Sequence, residues 1–146
     1  MSKRETEPTV PAKSGPLFKR ILVAVDGSEH SERASEAAID MSQKYGAELL
    51  ILHVVPRPAY AYMPAFPSVS PPPQATYDEY YDYAKKATQG YTDRIVAHAR
   101  NRGVKVRSEI REAAMSAVQG VTDYAQNEKV DLIVVGTGGW EASGSF

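Results

Sequence analysis

Five apolar residues in an unbroken row, Ile21-Leu22-Val23-Ala24-Val25, run straight into Asp26-Gly27-Ser28. A strand with one face in water alternates apolar and polar side chains. This row does not alternate, so it reads as a strand covered on both faces. Layers of helix above and below a parallel sheet supply that cover. The polar turn ends the row, and an alanine-rich helical pattern follows at once. In open α/β sheets the carboxyl ends of the strands stay uncovered at such turns, and ligands bind there. The turn at residues 26–28 is therefore read as one wall of a nucleotide site.

The rest of the chain fits that frame. Ser28 is a suitable N-cap and Glu29 places negative charge in the first turn, so a helix is predicted over 29–45. Its apolar stripe is read as Ala34, Ala37, Ala38, Met41 and Tyr45, and Gly46 stops it. Glu48 to Val55 (ELLILHVV) is a second nearly continuous apolar strand. Residues 56–76 then hold seven of the ten prolines, which excludes a regular helix or a central strand and leaves a Pro/Tyr-rich connector. Two roles stay open for it, a variable linker or a lid or docking loop for a protein partner.

A long helix is predicted over 77–102, with Tyr80, Tyr83, Ala84, Ala87, Tyr91, Ile95 and Ala99 on its buried stripe. Val104 to Ile110 alternates apolar and polar and marks an edge strand. A third helix is predicted over 113–128, with Ala114, Ala117, Val118, Val121, Tyr124 and Ala125 inward. The fourth strand, Val130 to Val135, ends in Gly136-Thr137-Gly138-Gly139. The order β-α-β-α-β-α-β specifies an α/β fold: an open parallel sheet with right-handed crossovers and helices on both faces. Residues 1–16, with prolines at 8, 11 and 16, read as a disordered leader before a single domain over 17–146.

Composition narrows the function classes. Seventeen basic and eighteen acidic residues leave a formal net charge of -1, which gives no electrostatic footprint for nucleic acid or an anionic membrane. The chain has no cysteine, so disulfides, zinc-thiolate sites and thiol chemistry are excluded. No stretch approaches the ~20 apolar residues of a membrane-spanning helix, and the start of the chain lacks the apolar core of a secretory signal. A cytoplasmic location is expected.

Two turns can carry chemistry: Asp26-Gly27-Ser28 and Gly136-Thr137-Gly138-Gly139. If their strands are neighbours, both turns meet where the winding of the sheet reverses. Glycines there let backbone N–H groups approach phosphate oxygens, and an aspartate opposite can accept bonds from ribose hydroxyls or a base amino group. The G-x-G-x-x-G and G-x-x-x-x-G-K-[ST] phosphate loops are absent from these positions. His53, inside the second strand, reads as a hydrogen-bonded core residue, and His30 and His98 read as surface residues. No two histidines have the close spacing of a metal pair. Binding without catalysis is the expectation.

These residues carry a family resemblance. The stretch KRILVAVDGSEHSERASEAAIDMSQKYGAELLILHVV resembles the opening of universal stress proteins, and VDLIVVGTGG resembles their fourth strand and glycine loop. Between them, EAAMSAVQGVTDYAQNEKVDLIVVGT keeps the family's helix-then-strand layout. The resemblance implies a Rossmann-like fold of the adenine-nucleotide alpha-hydrolase type. Its family order is 3-2-1-4-5, and here it would be 3-2-1-4 with the final helix and fifth strand, about 25 residues, missing. It also implies a homodimer in the full-length form.

One branch of the family binds ATP through the acid after the first strand, backbone at the end of the second, and a G-2x-G-9x-G-[ST] loop. Carried over, the nucleotide-binding positions are Asp26, Gly27, Ser28, Val54, Gly136, Gly138 and Gly139. The second half of the loop has no counterpart: nine residues beyond Gly139 lies past Phe146, and Gly144-Ser145 comes too soon. A truncated chain is the simplest expectation. At the third strand-to-helix turn, Glu112-Ala113-Ala114-Met115 stands where the family usually has a glycine.

The resemblance implies a stress-response protein that binds ATP, or AMP or ADP, with Mg²⁺ accompanying the nucleotide, and acts as a sensing switch with at most slow hydrolysis. The alternative is a family member without nucleotide that works through dimerisation or through partner docking at 56–76. An ATP-pyrophosphatase-type enzyme is disfavoured, because S-G-G-x-D-S is absent after the first strand.

Overall fold

A computed structural model describes residues 17–56, 74–113 and 116–137. Along them run β1 (Arg20–Val25), α1 (Glu29–Tyr45), β2 (Glu48–Pro56), α2 (Gln74–Asn101), β3 (Val106–Ala113), α3 (Ala117–Asn127) and β4 (Leu132–Val135). The unalternating row of β1 is explained by its place. It lies between β2 and β4 in a sheet of order β3-β2-β1-β4, and every pair is parallel. Ile21, Leu22 and Val23 are wholly buried.

The strand pleat sends alternate residues of β1 into two separate cores. Ile21, Val23 and Val25 join Leu49 and Ile51 beneath α1 and α2, against Ala34, Ala38, Ile39, Ile95 and Ala99. Leu22 joins Leu50, Leu52 and Val54 beneath α3, against Val121, Tyr124 and Ala125. Each fully buried Val, Leu or Ile contributes about 1.5–3 kcal/mol, so the two cores together hold the sheet between its helices. The α/β fold with helices on both faces, and the order 3-2-1-4, follow directly.

α1 spans the residues its sequence predicts. The Ser28 side chain accepts from the Ser31 N–H, and Gly46 closes the far end in the left-handed conformation at φ 66°. Its buried face differs from the expected stripe. Ala37 is exposed, while Ser31, Ser35, Ser42 and Ile39 are buried beside Ala34 and Ala38. Ser31 and Ser35 satisfy their hydroxyls locally, as when Ser35 donates to the Ser31 carbonyl at 2.8 Å, so their burial costs little, whereas the buried Ser42 hydroxyl has no partner among the described residues.

α2 starts at Gln74, inside the segment read as connector; residues 57–73 of that segment lie outside the described residues. Its expected stripe holds only in the second half. Ile95 and Ala99 are buried with Thr92, but Tyr80 and Tyr83 are exposed and so is Ala87. The tyrosine spacing has a helical period, yet the α2 residues packed into the described core all lie in the second half of the helix. β3 runs from Val106, later than expected, and forms an edge strand lined by Arg107, Glu109 and Arg111. α3 begins at Ala117 because Ser116 caps it, accepting from the Gln119 N–H, and Val118 therefore points outward at 59% exposure. Gly120 lets α3 approach β2, since a Cβ there would lie 3.0 Å from a Val54 methyl. Among the described residues no helix is long and apolar enough to cross a membrane.

Candidate functional site

β1 and β4 diverge at their carboxyl ends. Their last pair is Ala24↔Val135, so the chain beyond β1, with Asp26, and the chain beyond β4, with Gly136, leave the sheet side by side. From β1 the chain winds through α1 to β2 and on to β3 on one side, and after α3 it crosses back to place β4 on the other side of β1. This is the point where the winding reverses, and open α/β sheets hold ligands in the crevice outside such a point.

The turn that carries Asp26 is built by its own side chains. Asp26 Oδ1 accepts the Ser28 N–H at 2.9 Å, an Asx-type closure that aims the chain into α1. Gly27 takes φ 84°, which a side chain would strain. The Ser31 hydroxyl donates to the Ser28 carbonyl at 2.9 Å. With that proton spent, the contact of 2.8 Å between Ser31 Oγ and the Tyr91 hydroxyl has tyrosine as its donor, which ties α2 to the turn. Partial burial pushes the Asp26 carboxyl up, but hydrogen bonds from the Ser28 hydroxyl and N–H outweigh it, and the pKa lies below the ordinary value. Asp26 is thus a held, ionised acceptor at neutral pH.

Val54 joins the crevice through its backbone. Glu48 N bonds the Lys19 carbonyl, whereas Leu49 N bonds the Lys105 carbonyl, so even-numbered residues of β2 turn their peptide groups toward β1. β1 pairing ends at Val25↔His53. The Val54 N–H therefore completes that pairing on the Val25 carbonyl, and the Val54 carbonyl faces the place where β1 turns away, beside Asp26, while the Val54 side chain packs into the α3 core. His53 is half-buried, and its Nδ1 lies 2.8 Å from the Val25 carbonyl. It is the hydrogen-bonded strand residue that its sequence position predicts.

Gly136 has a different reason to be glycine from the one its motif offers. A Cβ there would lie 2.6 Å from both the backbone C and O of His30, at the start of α1. Close helix packing requires it, whatever else the loop does. Gly138 and Gly139 lie outside the described residues. The structure thus brings together Asp26, Gly27, Ser28, Val54 and Gly136 at one end of the sheet. Sequence reasoning did not single out Ser31 or Tyr91; the only signal was a serine three residues into the helix from its cap. Among the described residues no group of three or more His, Cys, Asp or Glu side chains is placed to hold a metal ion.

A second polar feature sits at the opposite end. Asp131 Oδ2 accepts the N–H groups of Lys19 at 2.8 Å and Arg20 at 3.0 Å. This clamps the start of β1 to the approach of β4 and sets their register.

Comparison with known proteins agrees with the fold. A universal stress protein of Thermus aquaticus is 31% identical over 130 residues, covering 89% of this chain and 85% of that one. One of Methanocaldococcus jannaschii is 28% identical over 123 residues, and the match spans 84% of this chain but 66% of the longer relative. A solved protein of the family from Burkholderia pseudomallei superposes with a TM-score of 0.66 at 25% identity, covering 82% of each chain. A universal stress protein from Archaeoglobus fulgidus in complex with dAMP has a TM-score of 0.54 at 18% identity, covering 81% of this chain and 80% of that one. Residues 17–145 match the universal stress protein family as a whole, and the chain belongs to that family.

Proposed function

We infer that the crevice between β1 and β4 binds an adenine nucleotide, ATP or its mono- or diphosphate, and that the protein works as a nucleotide-sensing switch in stress response rather than as a catalyst. The observation that carries this reading is Asp26: an ionised carboxylate held by Ser28 at the mouth of the crevice. Its remaining lone pairs suit ribose hydroxyls, and the Val54 carbonyl suits a donor on a purine edge. The dAMP bound by the Archaeoglobus fulgidus protein supports the reading, because that protein shares the fold.

The residues present fit the nucleoside better than the phosphates. Gly136 and the turn beyond it would lie nearest the phosphate groups, and Mg²⁺ would be held chiefly by the nucleotide's own oxygens, as is usual for this hard cation. Its contribution when bound is to neutralise phosphate charge. The protein's part is to orient the nucleoside, and what the switch reports is occupancy. A homodimer belongs to the same reading.

Titration calorimetry with ATP tests the assignment of Asp26. Asp26→Ala removes a charge-assisted acceptor and should weaken binding at least about tenfold. Asp26→Asn keeps an oxygen for the Ser28 N–H and so separates loss of the turn from loss of the charge. Unchanged affinity in both variants would show that Asp26 does not face the ligand.

A further inference from the structure

One side-chain hydrogen bond at the end of β1 is not required by strand pairing. His53 pairs with Val25, the last residue of β1, and its Nδ1 lies 2.8 Å from the Val25 carbonyl oxygen. A carbonyl only accepts, so Nδ1 carries a proton and donates. Odd-numbered residues of β1 turn their carbonyls toward β2, as Lys19 does to Glu48, so the ring reaches over the strand gap to an oxygen that already faces it. That oxygen belongs to the peptide whose nitrogen is Asp26, and the residue after His53 is Val54. One imidazole thus spans the two positions assigned to the nucleoside.

The other inward positions of β2 are apolar: Leu49, Leu50, Ile51, Leu52, Val54 and Val55 are all buried. A leucine or valine would suit a strand interior at position 53 equally well. An imidazole half-removed from water is compensated there by the bond it makes. The side chain at this position is therefore set by its donor and not by its bulk.

We propose that His53 is a positioning residue of the nucleotide site: its Nδ1–H adds a side-chain bond to the Val25 carbonyl that the Val54 N–H already engages, and holds the Val25–Asp26 peptide so that the Asp26 carboxylate and the Val54 carbonyl meet a nucleoside at a set separation. The proposal rests on the nucleotide reading of the crevice. It assigns His53 no contact with the ligand and no proton transfer.

The test compares ATP affinity by calorimetry with melting temperature in the full chain, for wild type and for His53→Asn, His53→Gln and His53→Leu. The Asn amide nitrogen is attached to Cγ, as Nδ1 is, and can rebuild the bond; the Gln nitrogen sits one bond farther out, and Leu has no donor. Asn should bind within about threefold of wild type, with Gln and Leu about tenfold weaker or more. That order should hold even if Leu melts highest, whereas a space-filling role would make affinity follow stability. Leu binding within threefold of wild type, or Asn as weak as Leu, overturns the proposal. Nitrogen NMR of the wild-type ring gives a check independent of any variant: a neutral ring protonated only on Nε2 overturns it too. A wild type that binds no nucleotide overturns the reading of the crevice and this proposal with it, an outcome distinct from a wild type that binds and a leucine variant that binds equally.

Discussion

Gly27 and Gly136 flank the crevice and are glycine for different reasons. At Gly27 a Cβ would meet nothing within 4 Å, but φ is 84°, so the demand is on the backbone angle. At Gly136 the demand is space, because His30 backbone atoms lie where a Cβ would go. Backbone cannot rotate aside as a side chain can. Gly136→Ala should therefore destabilise the protein by about 1–3 kcal/mol, seen as a lower urea midpoint. A variant as stable as wild type would mean that α1 does not pack this closely on β4. The sequence shows both residues as glycines after strands, and a phosphate loop was a fair reading of each. What it does not show is that α1 passes over the end of β4, which is a tertiary fact. Asp26 was legible because it is an acid at the one turn where a buried strand meets a helix. The Ser31–Tyr91 contact beside it was not, since Tyr91 arrives from sixty residues away.

At the level of elements, the ends of α1 are legible because a cap stands at each: it is bounded by Ser28 and Gly46, and both act as caps. The start of α3 lies later than its periodicity indicates because Ser116 caps it. The tyrosines of α2 show the opposite failure: a clean period in which Tyr80 and Tyr83 are nonetheless exposed. Asp131 illustrates a contact that joins elements across the chain. Its carboxylate takes two backbone N–H groups at the entrance to β1, so Asp131→Ala should lower the unfolding free energy by about 1–2 kcal/mol, with an unchanged denaturant slope. No change in the midpoint would mean that water replaces the carboxylate without loss.

On the scale of the whole molecule, the sheet order places the central strand between a charged edge and an apolar one. β3 carries Arg107, Glu109 and Arg111, with Arg107 paired to Glu128 at 2.7 Å, and such charges discourage further strand pairing. β4 carries none, and Ile133 and Val135 are 39% and 47% exposed. The unalternating apolar strands made the buried sheet legible, and the family resemblance supplied their order. The half-open β4 was not legible, because its residues resemble those of β1 and differ only in what covers them. The same order puts Asp26 and Gly136 at the ends of adjacent strands, and the proposed nucleotide crevice rests on that adjacency.

The most direct test of that crevice is the melting temperature of the 146-residue chain with and without millimolar ATP and Mg²⁺, and again with AMP. A ligand that binds only the folded state at a hundred times its Kd adds about 2.7 kcal/mol, which raises the melting temperature by several degrees. The account predicts that rise with both nucleotides, since the residues described here chiefly address the nucleoside. An unchanged melting temperature with both would contradict it.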